Sequence, residues 1–122
     1  MILIIFIVGI LMGASGGIFM KLGAIHIGQV EINSFVQLFD YLLKLFTNIW
    51  SLMGISLYFL SAVIWSYLLT KLDISLVQPI LALTYVVTPV LAILFLNEHV
   101  SVMRWVGIFV ILIGVFVVAR SA

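Results

Sequence analysis

The sequence contains no cysteine and very little charge. The lack of cysteine excludes disulfides and thiolate metal sites. Charged residues make up 7% of the 122 residues and hydrophobic residues 66%, whereas about a quarter of the residues in a soluble domain are charged. A soluble domain of this size could not bury so much apolar surface, so the composition excludes a water-soluble fold. The net charge of +1 provides no basic patch for nucleic acid.

Acidic residues are also scarce, and all four lie outside the long apolar segments. They are Glu31, Asp40, Asp73 and Glu98. A carboxylate at mid-membrane depth is the usual device for exchanging protons against a cation, and this sequence places none there. It also shows no Ser-His-Asp cluster, no phosphate-binding loop and no metal-ligand spacing, and His26 and His99 are isolated. We therefore expect neither an enzyme nor a cofactor or metal site.

What the sequence does contain is four long apolar segments. A helix needs about 20 residues to cross a bilayer, and we predict spans at about 2–22, 49–70, 74–96 and 102–119. The segments are continuous rather than alternating, which favours helices over strands. The first segment lacks the basic start of a signal peptide, so we expect it to be retained. The predicted fold is a single all-α integral membrane domain, residues 1–122, with four transmembrane helices.

A more polar stretch separates the first two spans. Residues 34–47 are predicted to form an amphipathic helix, with Asn33 or Ser34 as its N-cap. One narrow polar stripe, at steps of three and four residues, consists of Gln37, Asp40, Lys44 and Thr47. This helix is too short and too polar to span, so we predict that it lies in the membrane interface.

Short turns at residues 71–73 and 97–101 make spans two, three and four antiparallel neighbours, with both termini on one side. One side of the membrane then holds Lys21, Lys44 and Arg104, and the other holds Lys71 and Arg120. Three positive residues against two give almost no bias in orientation. The sequence is compatible with dual insertion, in which two copies pack upside down relative to each other, and equally with one fixed orientation.

The first span carries a row of small residues. Gly9, Gly13 and Gly17 are spaced by four, Lys21 continues the series, and Gly16 joins the same broad face. Such residues let a neighbouring backbone approach closely, with Lys21 extending to the headgroups. Alternatively, the glycines line a groove and the Lys21 ammonium binds an anionic head that enters it.

Spans two and three each carry a stripe of small, hydroxylated and aromatic residues at alternating steps of three and four. In span two these are Ser51, Gly54, Tyr58, Ser61 and Trp65. In span three they are Ser75, Gln78, Ala82, Tyr85, Pro89 and Ala92. Polar groups are costly in lipid unless satisfied, so both stripes should face inward. They could hydrogen-bond to each other, line a polar, aromatic cavity, or do both, and we favour the cavity.

Two prolines, Pro79 and Pro89, interrupt the hydrogen-bond ladder of span three. A kink frees carbonyl groups that a partner or water must satisfy. Transport proteins often contain such breaks, although curved packing explains them equally well.

Span four carries Gly107 and Gly114 on one face, in line with Arg104 and Ile111. This pattern is typical of a self-association stripe. The alternative is packing of this face within the monomer.

From Leu69 to Arg120 the chain resembles the drug/metabolite transporter superfamily, in its EamA-like form. The resemblance rests on "LDISLVQPILALTYVVTP" and "LNEHVSVMRWVGIFVILIGV", and "GGIFMKLG" is similar to the end of the family's first helix. The resemblance covers spans one to four. The stretch between the first two spans is longer than in the shortest members.

Two branches of this superfamily compete. Small multidrug resistance exporters carry a glutamate in helix one, and alignment on "MK" places Gly13 there. Subunits of the ArnE and ArnF type, which flip undecaprenyl-phosphate-linked aminoarabinose, lack that glutamate. They keep a lysine matching Lys21, a proline-containing third helix and a glutamate turn matching Glu98. The resemblance favours this second branch and implies a dimer, homomeric or with a paralogue, in a bacterial inner membrane.

The function predicted from the sequence is that of a carrier flipping a polyprenyl-phosphate-linked sugar, or a similar amphipathic anion, with membrane lipid around it. The head is expected to contact Tyr58, Ser61, Trp65, Gln78 and Tyr85. The phosphate would meet Lys21 and Arg104, and the prenyl tail would reach in from the lipid through the glycine groove. Two alternatives stay open: an exporter of small organic molecules, and a membrane subunit that does not transport.

Overall fold

The computed structural model describes residues 1–121 and is built of helices. They are α1 (Ile2–Ile27), α2 (Phe35–Thr47), α3 (Ile49–Leu69), α4 (Ile74–Leu81), α5 (Thr84–Leu96) and α6 (Val102–Arg120). Four segments are long and apolar enough to cross a membrane: α1, α3, α4 with α5, and α6. The predicted fold class, four transmembrane helices plus one further helix, is confirmed.

Helix α1 is longer than predicted, because it continues past Leu22 to Ile27. Gly23, the last glycine within α1, is buried in helical conformation and does not end the helix. The helix ends at Gly28, which has φ 83° and whose N–H donates to the Ala24 carbonyl at 3.0 Å. A positive φ is cheap for glycine and costly for most other residues. The end of α1 is therefore set by Gly28 and not by the polar residues before it.

Helix α2 begins with two side-chain hydrogen bonds that cap its first turn. The Gln37 N–H donates to the Ser34 hydroxyl at 3.4 Å, and the Gln37 side chain accepts from the Asn33 N–H at 2.5 Å. Asp40 and Lys44 form the predicted ion pair at 3.3 Å on the polar face. Apolar residues on the other face are largely exposed, Phe35 by 90%. This face is available to lipid, in agreement with an interfacial position.

Helices α1 and α3 cross with their backbones nearly touching. The Asn48 side chain caps α3 by accepting from the Trp50 N–H at 3.0 Å. One turn further, Gly54 lies against α1 so closely that a Cβ there would be 2.9 Å from the Gly16 carbonyl oxygen. Nearer the interface, Gly23 packs against Ser51 in the same way. Close backbone approach is therefore the role of these glycines.

The third span consists of two helices, whereas the sequence analysis placed the interruptions of its hydrogen-bond ladder at Pro79 and Pro89. Helix α4 ends at Leu81, and α5 begins at Thr84. Between them the ladder tightens to bonds over three residues, with Ala82 N–H donating to Pro79 O and Leu83 N–H to Ile80 O, each at 3.0 Å. Such tightening is typical of a 3₁₀ turn. The interruption lies between the two prolines, not at either one.

A small apolar core closes one end of the molecule. It consists of Phe6, Leu68 and Val77, where α1 begins, α3 ends and α4 begins. Helix α1 packs between α3 and α5, whereas α6 packs against α4 and α5. Most other apolar side chains face outward, for example Phe95 and Phe109, which are 70% and 63% exposed. This inverted pattern is expected for a surface that contacts lipid.

Candidate functional site

A cavity of about 730 Å³ lies between α1, α3 and the two halves of the third span. Helix α1 contributes Gly9, Gly13 and Gly17, one turn apart. A Cβ at Gly13 would lie an ordinary 3.5 Å from the Ser61 hydroxyl, whereas one at Gly9 would lie 3.3 Å from Ile64 and one at Gly17 3.2 Å from the Tyr58 hydroxyl. Gly13 therefore leaves space for the cavity, and Gly9 and Gly17 allow side chains of α3 to approach closely. Gly16, by contrast, packs against the backbone of α3, so the glycine row serves both roles that its spacing allowed.

The polar wall of the cavity comes from the predicted stripes. Helix α3 contributes Tyr58, Ser61 and Trp65, α4 contributes Gln78, and α5 contributes Tyr85. The remaining lining residues are Leu81, Ala82, Thr84, Thr88 and Pro89. The alternating steps of three and four residues thus brought side chains from three separate segments to one cavity. Pro79 does not line it.

One predicted binding residue already has an intramolecular partner. The Ser61 hydroxyl donates to the Gly9 carbonyl at 3.1 Å, which links α3 to α1 across the cavity wall. The Tyr58 ring lies across the glycine row, with its hydroxyl oxygen 3.2 Å from where a Cβ of Gly17 would be. Ser61 therefore shapes the wall, and its bond runs to α1 rather than to the stripe of span three.

Trp65 lines the cavity and contains a buried donor. Its indole Nε1 is shielded from solvent and has no hydrogen-bond partner among residues 1–121. A buried N–H without an acceptor is unfavourable. An acceptor on a bound molecule, reached directly or after a small rotation of the indole, would satisfy it.

The sequence analysis missed two polar lining residues, Thr84 and Thr88, and the apolar Leu81. The Thr84 hydroxyl lies 4.0 Å from a Cβ position at Gly13, and the Thr88 methyl 3.8 Å from that at Gly17. A helix presents a face about 100° wide, not a line one residue wide. Thr84 and Thr88 are four residues apart and directly precede Tyr85 and Pro89. This spacing would have placed both threonines on the predicted polar face of span three.

The basic residues predicted to bind phosphate lie outside the cavity lining. Lys21 is exposed, one turn beyond Gly17 on α1, a rise of about 6 Å. Arg104 is exposed in the first turn of α6, on the same side of the membrane as Lys21. Helix α6 contributes no residue to this cavity among those described. The two charges are therefore at one end of the molecule, and only Lys21 is on a helix that lines the cavity.

The loop carboxylate, Glu98, is exposed in the turn before α6. Its N–H donates to the Ala92 carbonyl at 3.3 Å and closes the end of α5, where Asn97 adopts φ 53°. This left-handed residue reverses the chain between α5 and α6. The backbone of the glutamate turn thus has a structural role in positioning α6.

Gly107 and Gly114 face open space. A Cβ at either position would have no neighbour within 4 Å. Packing of this pair within the monomer is therefore not what the structure shows. The two glycines remain on the outer surface of α6, available to a second chain.

All side chains that line the cavity are uncharged, and they surround the middle of the spans. A neutral, polar and aromatic cavity at mid-depth in a helical membrane protein is typical of small transporters. The chain belongs to the EamA-like transporter family, whose model matches residues 1–120. It is accordingly a multi-pass protein of the bacterial inner membrane.

Two curated relatives are each named "Probable 4-amino-4-deoxy-L-arabinose-phosphoundecaprenol flippase subunit ArnE". The protein of Pseudomonas savastanoi pv. phaseolicola is 26% identical over 100 residues, 79% of this chain and 88% of the relative. That of Pseudomonas syringae pv. syringae is 37% identical over 59 residues, 48% of this chain and 55% of the relative. No solved structure gives a significant match. These relatives support a small membrane transporter of the flippase kind.

Proposed function

We propose that this protein flips a polyprenyl-phosphate-linked sugar across the inner membrane, as a dimer and without enzymatic chemistry. The observation that carries the proposal is the neutral cavity of about 730 Å³ at mid-depth, with Lys21 one turn beyond its glycine wall. The flippase-named relatives point in the same direction.

The cavity suits the sugar head. Its volume falls within the range of roughly 300–1,000 Å³ of small-molecule sites. Tyr58, Trp65 and Tyr85 present rings that can pack on the apolar faces of a sugar, and Gln78 and Thr88 offer groups that both donate and accept hydrogen bonds. A hydroxyl-rich head could thus exchange its hydration for fixed partners during the crossing.

Lys21 suits the phosphate. Its ammonium is exposed at the end of the glycine row and is a compact charge of the kind that binds phosphate. Arg104, on the same membrane side, would raise the local concentration of the anionic lipid. The prenyl tail would stay in lipid, because the outer surface of the helices is apolar. Net transfer would follow the concentration gradient of the lipid itself.

The dimer would form through α6. Gly107 and Gly114 lie one above the other on a face with open space around both positions, and small residues at such spacing favour close helix association in lipid. The second chain would be another copy or a paralogue.

The direct test is flipping in liposomes that contain the purified protein and a polyprenyl phosphate sugar. Lys21→Ala should slow flipping at least about tenfold, a loss of about 1.4 kcal/mol of transition-state stabilisation, and Lys21→Arg should retain most of the rate. The matched control is Lys71→Ala, an exposed lysine at the opposite end of the molecule. A rate unchanged by Lys21→Ala would rule out the phosphate role.

One observation favours a second candidate, an exporter of small organic molecules. Three aromatic side chains border the cavity, and flat or cationic molecules also bind such sites. This function predicts that expression confers resistance or uptake phenotypes, and that Tyr58 and Trp65 matter more than Lys21. A subunit that only stabilises a different chain would copurify with it and show no activity alone.

A further inference from the structure

We propose that an apolar groove between α1 and α5 binds the first isoprene units of the lipid whose phosphate meets Lys21. This inference rests on the proposed function for the choice of lipid, and it gives the tail a site of its own. The groove has a volume of about 290 Å³. Its lining consists of Ser15, Ile18, Phe19 and Leu22 of α1 with Leu91 and Phe95 of α5.

The groove and the cavity lie on the two sides of Lys21. On an α-helix four residues turn about 40° past a full turn, and three residues stop about 60° short of one. Lys21 follows Gly17, which lines the cavity, by four residues, and it follows Ile18, which lines the groove, by three. A phosphate held by Lys21 therefore has the cavity for the sugar head on one side and the groove for the tail on the other.

Helix α5 connects the same two spaces along its length. Thr84 and Thr88 line the cavity, and Leu91 and Phe95 line the groove at the next steps of three and four residues. This face of α5 thus changes from hydroxyls to hydrocarbon towards the end of the molecule where Lys21 lies. The change matches an amphipathic lipid, in which the phosphate joins a polar head to an apolar chain.

The α1 side of the groove is held in place by packing. Ile18 is buried, and the Phe19 ring stacks on Trp50 of α3 with the ring centroids 6.0 Å apart and the planes at 15°. Trp50 in turn stacks on His26 at 6.1 Å. Phe95, on the α5 side, is 70% exposed, so its ring is free to close over a chain. The remainder of a long tail stays in the surrounding lipid.

The groove should prefer an isoprenoid chain to a straight one. It cannot select a tail by hydrophobicity, because lipid chains are as apolar as the groove itself. It can select by shape and by the entropy lost on binding. An isoprenoid chain has a rigid double bond in each unit, so it loses less rotational freedom than a saturated chain of the same length. Its methyl branches also gain contacts that a straight chain lacks.

Binding to the purified protein in detergent tests this preference. The two ligands are farnesyl phosphate and an unbranched, saturated alkyl phosphate of the same backbone length. Tryptophan fluorescence reports binding, because Trp50 stacks on the Phe19 ring of the groove. We expect farnesyl phosphate to bind at least about tenfold more tightly, a difference of about 1.4 kcal/mol. Equal affinities would overturn the inference.

Substitutions separate the groove from the phosphate site. Phe95→Ala removes one edge of the groove and Leu91→Trp fills it, so each should largely abolish the preference. The matched controls are Phe109→Ala and Leu94→Trp, which alter exposed side chains outside the groove and should retain it. Lys21→Ala should weaken both ligands alike, because both carry the phosphate. A preference that persists in both groove variants would show that the tail binds elsewhere.

Failure of the inference and failure of the proposed function give different results. If the polyprenyl phosphate sugar flips in liposomes at a rate that neither groove variant changes, the groove is not the tail site, although the flipping function stands. If the chain preference depends on the groove but no lipid flips, the tail site stands and the flipping function fails.

Discussion

Gly54→Ala tests the close crossing of α1 and α3 on which the cavity wall depends. The added Cβ would lie 2.9 Å from both the Gly16 carbonyl oxygen and the Met20 backbone nitrogen, and 2.8 Å from the Met20 Cγ. The flexible Met20 side chain can move, but the two backbone atoms cannot retreat unless the helices separate. Overpacking of this kind costs about 1–3 kcal/mol.

Alanine also favours the helix over glycine by about 1 kcal/mol, which offsets part of this cost. We therefore expect a net loss of up to about 2 kcal/mol, or up to a roughly 30-fold fall in the folded-to-unfolded ratio. Thermal unfolding of the detergent-solubilised protein, followed by size-exclusion chromatography of heated samples, measures it as a lower Tm.

Two matched variants separate the clash from the gain in helix propensity. Gly107→Ala adds a Cβ with nothing within 4 Å, and Gly13→Ala adds one at an ordinary 3.5 Å from the Ser61 hydroxyl. Both should keep the wild-type Tm or raise it slightly, measured at dilutions where the protein is monomeric. A Gly54→Ala protein as stable as these controls would refute the close crossing.

Three further predictions concern other contacts. Ser61→Ala removes the 3.1 Å bond to the Gly9 carbonyl and should cost about 0.6 kcal/mol, the average for interhelical bonds in membranes; a loss of Tm above that of Gly54→Ala would contradict this. Asp40→Asn breaks an ion pair whose side chains are 61% and 52% exposed and should change stability by less than about 0.5 kcal/mol, as measured by the same thermal assay. Gly107→Leu should shift the protein from dimer to monomer in crosslinking experiments without lowering the Tm of the monomer, whereas Ile113→Leu on the outer face of α6 should not; a dimer unaffected by Gly107→Leu would show that α6 is not the interface.

Much of the fold could be predicted, because membrane spans depend on a simple physical quantity, the length of an apolar run. The stripes on spans two and three were partly informative: Ser51 and Gly54 are buried, whereas Tyr58 and Tyr85 line the cavity but are 46% and 64% exposed. Tyr58, Trp65, Gln78 and Tyr85 indeed share one cavity. The spacing of polar residues within each helix was enough to predict that these four line one cavity, because it does not depend on which helices are neighbours.

The features that could not be predicted from the sequence depend on contacts between helices. Gly16 and Gly13 look alike in the sequence, but one touches the backbone of α3 and the other borders a cavity. Similarly, Arg104 falls in line with the stripe of span four, yet α6 contributes no lining residue among those described. The interruption at Ala82 was not predicted, because alanine is a good helix former.

The central claim is that the cavity is a wet chamber within the membrane, and cysteine accessibility tests it most directly because the chain has no cysteine of its own. Thr84→Cys places a thiol in the lining, and Ile113→Cys places one at similar depth on the outer face of α6. In membrane vesicles, a water-soluble maleimide should label the first thiol readily and the second hardly at all, and the polyprenyl phosphate sugar should protect the first. Labelling of Thr84→Cys as slow as that of Ile113→Cys would show that the chamber is dry or closed, and would contradict the account.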